Sequence, residues 1–164
     1  HGLQECIYLG NLDAQRDWGH AKDYVKAMWL MMQCEKAEDF VIATGETTYV
    51  RDFIRMAFKE IGVELEFKGK GSDEYGLVVD NGGNSKIKVG QTVIGVNPVY
   101  YRPTEVDLLI GDPEKAKTQL NWEPEYTLGE MVKEMIASDI EVFGKDKLLK
   151  QNGFDFQVSL EENH

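Results

Sequence analysis

Phe40-Val41-Ile42-Ala43, closed by Thr44-Gly45, is the stretch on which the fold turns. Four apolar residues in a row, with Glu38-Asp39 before them and a polar loop after, suit a strand covered on both faces, as in a parallel sheet. Helical periodicity lies on either side. Over residues 20–33, Ala21, Tyr24, Val25, Met28 and Met32 recur at steps of three and four. Trp29, Leu30 and Met31 widen that surface, so this helix is expected to be covered on more than one side. Beyond the loop, Thr48 reads as the cap of a second helix with the stripe Val50, Phe53, Ile54, Ala57, Phe58 and Ile61, stopping at Gly62. A buried strand between two helices implies an α/β class. Few other strands are available, so the chain reads as the later part of a larger sheet.

Residues 6–9 form a short apolar run fit for a strand, and Leu65 and Phe67 alternate with charges as on a half-buried one. Residues 69–95 are rich in glycine and read as an exposed, hairpin-like excursion. Its expected strands are 77–79 and 86–89, around the turn signal Asp80-Asn81-Gly82. Asp112-Pro113 opens a short helix with Ala116 and Leu120 inside. Thr127 and Glu130 have the spacing of a capping box. The helix that follows carries Leu128, Met131, Val132, Met135, Ile136 and Ile140 on one stripe. After Gly144 a polar tail is expected, docked by Leu148, Leu149, Phe154 and Phe156.

Hydrophobic residues make up 42% of the 164, enough for a core. The net charge of -11 argues against nucleic acid, whose phosphates reward a basic face. No apolar run approaches the roughly 20 residues of a membrane span. Cys6 and Cys34 lack metal-ligand spacing and read as buried, reduced thiols of a cytoplasmic protein. His20 opens a helix between Asp17 and Asp23, where a structural hydrogen bond is the expectation.

Two arginine motifs stand out against the acidic background: Arg16-Asp17-Trp18, and Tyr100-Tyr101-Arg102-Pro103-Thr104-Glu105. Guanidinium forks grip phosphate oxygens and a nearby carboxylate accepts sugar hydroxyls, so the pair suits a diphosphate joined to a sugar. Tyr100 and Tyr101 fit a stacked base or plain loop filling equally well. Other chemistry is absent from the sequence. Gly69-Lys70-Gly71 has Glu74 at the third glycine position of a dinucleotide turn and opens no helix. None of the seven tyrosines has Lys four residues on, the spacing in which a Lys charge would lower the Tyr pKa for hydride chemistry. No Ser sits in a Gly-x-Ser-x-Gly elbow.

At residues 16–25, Arg16-Asp17-Trp18-Gly19-His20-Ala21-Lys22-Asp23-Tyr24-Val25, the chain resembles the sugar-nucleotide branch of the extended short-chain dehydrogenase/reductases. At residues 101–107 the resemblance narrows to the GDP-mannose 4,6-dehydratase family, of bacterial type. Leu9-Gly10-Asn11-Leu12-Asp13, residues 38–45, and Gly111-Asp112-Pro113 through Leu120-Asn121-Trp122 extend it over nearly the whole chain. The resemblance implies an α/β fold in which this chain is the C-terminal, nucleotide-sugar-binding portion. Elements at about 17–62 would pack on the sheet of an NADP-binding Rossmann domain in an N-terminal half that the chain lacks. It implies Arg16 and Arg102 as phosphate-binding arginines, Glu105 as acceptor of a ribose hydroxyl, and Asn11 as a contact near the base or ribose. Asp23 would be a structural carboxylate. GDP-mannose is the implied substrate and NADP the implied cofactor. The glycine-rich loop and catalytic residues belong to the other half, so no catalytic residue is expected here, and the chain alone should be inactive. A homo-oligomer, dimer or tetramer, is the implied assembly. Another nucleotide-sugar epimerase or reductase on the same scaffold, or a non-catalytic nucleotide-sugar-binding module, remains open.

Overall fold

The alternation in Glu64-Leu65-Glu66-Phe67-Lys68 puts Leu65 and Phe67 on one face, and this segment is a strand at the edge of a four-stranded sheet. The computed structural model describes residues 4–101 and 108–154. Its elements are β1 (Ile7–Leu9), β2 (Gln15–Arg16), α1 (Ala21–Met32), β3 (Thr48–Tyr49), α2 (Val50–Lys59), β4 (Glu64–Lys68), β5 (Tyr75–Asp80), β6 (Thr92–Val96), β7 (Leu108–Leu109), α3 (Glu114–Leu120) and α4 (Leu128–Gln151). The larger sheet has the order β1-β6-β5-β4, with β1 parallel to β6 and the other pairs antiparallel. A second sheet, β3-β2-β7, has β2 antiparallel to β3 and parallel to β7.

Two apolar cores hold these layers. Leu12, Ile54, Val63, Val78, Val93 and Ile94 are buried where α2 covers the larger sheet, with Val50, Phe58, Ile61, Leu65 and Phe67 packed around them. The α2 stripe read from the sequence supplies one side of this core. Ala27, Ala116, Leu120 and Trp122 form the second core between α1 and α3. There the indole N–H of Trp122 donates to the Asp23 carbonyl at 2.9 Å. The buried Asp23 carboxylate accepts from the backbone N–H groups of Glu125 at 3.1 Å and Tyr126 at 3.3 Å. Asp23 is thus the structural carboxylate that the resemblance implied.

Several expectations are corrected. Residues 40–43 form no strand. Phe40 and Ile42 pack on the second core while Val41 is exposed, and no strand among the described residues lies beside them to complete a ladder. Among the described residues, helix α1 is covered on one side: Ala27 is fully buried, whereas Val25, Met28, Trp29 and Met32 are 58–76% exposed. Thr48 does not cap α2. It pairs with Arg16 in the second sheet, and the first turn of α2 is capped by backbone instead, Val50 N–H donating to Ala14 O and Arg51 N–H to Leu12 O.

Residues 69–95 are not set apart as an excursion, because β5 lies inside the larger sheet and buries Val78. Its partner is β6, not residues 86–89, which form a turn held by the Asn81 side-chain amide donating to the carbonyls of Asn84 and Ile87. One glycine there serves packing: a Cβ on Gly76 would stand 3.0 Å from Ile94 Cβ. The helix α3 begins one residue later than read, Asp112 accepting from Glu114 N–H at 3.0 Å. The helix α4 runs through Gly144, and Leu148, Leu149 and Phe154 are exposed rather than docked. Phe156 lies outside the described residues. Both cysteines are free, Cys6 half-buried and Cys34 exposed rather than buried. No helix among the described residues is long and apolar enough to cross a membrane.

The capping box of α4 is present in full. The N–H and hydroxyl of Thr127 both donate to the Glu130 carboxylate at 2.8 Å, and those bonds hold its pKa below the usual glutamate value. A lowered folded-state pKa means stabilisation that is complete above the carboxyl's ordinary value and lost as pH falls through the lowered one. Glu130→Gln is therefore expected to speed amide exchange in the first turn of α4 near neutrality. The difference from the parent should vanish in acid, and an equal difference at both pH values would refute the assignment.

Candidate functional site

The site is built from the ends of β1, β2 and β6. Past β1 the chain turns at residues 10–14. Asn11 Oδ1 accepts from Asp13 N–H at 2.9 Å, and the start of α2 binds the carbonyls of Leu12 and Ala14. Past β6, Asn97 N–H donates to Leu9 O, and the Asn97 side chain and carbonyl then accept from Val99 and Tyr100 N–H, each at 2.9 Å. This turn lies directly against Gly10, where a Cβ would come within 2.6 Å of the Tyr100 carbonyl oxygen. Only glycine allows two backbones to approach so closely.

An open groove of about 380 Å³ results, lined by Leu9, Gly10, Asn11, Ala14, Arg16, Val50, Val99 and Tyr100. Two of the residues singled out in the sequence, Asn11 and Arg16, thus meet in one cleft. Tyr100 is 46% exposed at its border. Arg16 sits between Thr48 of β3 and Leu109 of β7, and its Nη1 donates to the Gln15 carbonyl at 2.8 Å. Arg102 and Glu105 lie outside the described residues. The segment that carries them leaves from Tyr101, next to Tyr100, and rejoins at Leu108, paired with Gln15.

Neighbouring polar groups are committed elsewhere. Asp17, the carboxylate that follows Arg16, accepts from Thr44 N–H (3.0 Å), Thr44 Oγ1 (2.7 Å) and Gly45 N–H (2.9 Å). It fixes the loop at residues 44–45. His20 is structural, as expected. Its Nδ1 accepts from Lys22 N–H at 3.1 Å, its ring stacks on Tyr126, and Nε2 lies 3.4 Å from Glu134. Lys22 pairs with the same Glu134 at 2.7 Å, which raises the Lys22 pKa and lowers that of Glu134. Glu46 is exposed, beside a second cavity of about 310 Å³ under Trp18 and Tyr126.

An ion-pair network behind the groove was not read from the sequence. Arg51 Nε and Nη2 grip the buried Glu74 carboxylate at 2.7 and 2.9 Å, and Nη2 also lies 2.8 Å from Asp13. Those partners, Glu74 foremost, raise the Arg51 pKa above its ordinary value. No local spacing joins positions 13, 51 and 74; only the paired acid and base types could have hinted at it.

Gly69-Lys70-Gly71 links β4 to a short 3-10 turn, and Gly69 backs onto the Asp73 carbonyl, leaving no cradle for a pyrophosphate. Among the described residues no group of three or more His, Cys, Asp or Glu side chains could hold a metal ion.

A family model described as GDP-mannose 4,6 dehydratase matches residues 1–135. The chain is 51% identical over 162 residues to GDP-mannose 4,6-dehydratase of Yersinia enterocolitica, a match covering 98% of this chain and 44% of that protein. It is 52% identical over 141 residues to human GDP-mannose 4,6 dehydratase, covering 86% of this chain and 36% of that one. The chain therefore spans less than half the length of these relatives. Among solved structures, RMD from Pseudomonas aeruginosa complexed with NADPH aligns with a TM-score of 0.59 at 17% identity, over 87% of this chain and 38% of that one. UDP-glucose 4-epimerase from Thermotoga maritima with UDP-glucose aligns with a TM-score of 0.58 at 25% identity, over 87% and 36%. The former likeness speaks to fold alone.

Proposed function

Because the chain belongs to the GDP-mannose 4,6-dehydratase family, we propose that it supplies the GDP-sugar-binding part of an enzyme converting GDP-mannose to GDP-4-keto-6-deoxymannose and water. The observation that carries this reading is the groove where Asn11, Arg16 and Tyr100 meet. In this reading Arg16 and Arg102 grip the diphosphate, Glu105 accepts a ribose hydroxyl, and Asn11 lies near the base or ribose. The chain contributes binding energy and aim, which is a positioning role in catalysis.

NADP, the cofactor of the proposed reaction, is held by segments outside this chain. Of residues 17–62, the part before α2 packs against those segments, whereas α2 covers this chain's own larger sheet. The uncovered face of α1 and the unpaired backbone at 40–43 support this, as both lack the cover that a parallel sheet would give. The assembly is a cytoplasmic homo-oligomer, dimer or tetramer, and the chain alone is inactive.

Product analysis tests the reading. The full-length enzyme with GDP-mannose and NADP is expected to form the 4-keto-6-deoxy sugar without net reduction of the cofactor. An epimerised or simply reduced sugar would move the enzyme to another member of the same scaffold.

A further inference from the structure

We infer that Arg51 is a positioning residue for the nucleotide-sugar groove, acting through Asp13 on the turn that carries Asn11; this rests on the reading of the groove as a GDP site. Arg51 joins three segments that meet behind the groove. Its backbone N–H holds Leu12 O, and its guanidinium bridges Asp13 of the 10–14 turn to Glu74 at the start of β5. Val50, its neighbour, lines the groove and binds Ala14 O.

The two arms of the network differ in environment. The Glu74 side chain is 5% exposed, so its bidentate pair with Arg51 is a buried ion pair. Removing one partner there strands a charge and endangers the fold. The Asp13 side chain is 63% exposed, where an ion pair contributes little to stability. What the exposed arm does is restrict the turn. Asn11 and Ala14, on either side of the Leu12–Asp13 step, both face the ligand cleft. A turn that is already ordered spares a ligand the cost of ordering it. The Glu74 arm in turn fixes the guanidinium from which the Asp13 arm reaches.

The test uses the full-length enzyme, with GDP binding followed by calorimetry and GDP-mannose turnover by product formation. Asp13→Ala is expected to weaken GDP binding by about threefold to fivefold and raise KM to match, with kcat and the melting temperature unchanged. Asp13→Glu, which keeps the charge, should return affinity to within about twofold of the parent. Arg51→Met combined with Glu74→Met removes the buried pair without stranding a charge, and is expected to melt as the parent does yet bind GDP as weakly as Asp13→Ala. Parent-like affinity in Asp13→Ala, or in that double variant, would overturn the inference and leave Arg51 a purely structural residue. A parent enzyme that binds no GDP would overturn the groove assignment itself, and the inference with it.

Discussion

Arg16→Ala in the full-length enzyme is expected to weaken GDP binding by about 2–4 kcal/mol, and Arg102→Ala by a similar amount. The size follows from what each removal leaves behind. A diphosphate drawn into a groove walled by Leu9, Val50, Val99 and Tyr100 gives up water, and its oxygens then depend on charge-assisted donors. The rest of the chain cannot compensate, because its net charge of -11 repels an anion. Lysine at either position should recover only part of the loss, since an ammonium cannot reproduce a bidentate fork. Arg55→Ala is the control: Arg55 is a half-exposed arginine paired with Asp52 on the same helix, and its loss should leave affinity unchanged. Calorimetry with GDP measures all five variants. Parent affinity in Arg16→Ala would remove the groove from consideration as a diphosphate site.

Trp122→Ala is expected to lower stability by about 3–5 kcal/mol. Trp122 is fully buried against Ala27, Ala116 and Leu120, small or aliphatic neighbours that cannot collapse to fill the volume of an indole. Its N–H bond to the Asp23 carbonyl goes too, at the junction where the Asp23 carboxylate holds the 125–126 backbone. Trp122→Phe separates the two contributions. It keeps most of the apolar volume and should cost about 1–2 kcal/mol, largely for the lost indole hydrogen bond. Denaturant unfolding of the full-length enzyme reads both. A loss under about 1 kcal/mol in Trp122→Ala would show that this second core is dispensable.

What could be read without coordinates was what sequence-local physics determines. The α2 stripe, the Thr127–Glu130 capping box and the inner face of α3 follow from steps of three and four, and all are present. Readings failed where the partner was remote. Phe40-Val41-Ile42-Ala43 has the composition of a buried strand, but a strand exists only beside a neighbour, and none is described there. Thr48 looks like a cap until the carbonyls of Leu12 and Ala14 take that place. The glycines at 69–95 suggested an exposed hairpin set apart from the sheet, yet Gly76 is there because β5 packs tightly between β4 and β6. In the groove, Asn11 and Arg16 were legible as polar residues in a motif. The Arg51, Glu74 and Asp13 network was not, because three separated segments must fold before it exists.

Ile7 lies beside Ile94 and Gln15 beside Leu108, so both parallel ladders join strands from opposite ends of a long intervening chain. Such pairings close late, after the entropy of a large loop has been overcome. The two walls of the groove, one following β1 and the other following β6, are therefore expected to come together at that last stage. Nucleotide recognition is therefore a report of completed folding. GDP should slow unfolding of the enzyme while leaving its refolding rate almost untouched.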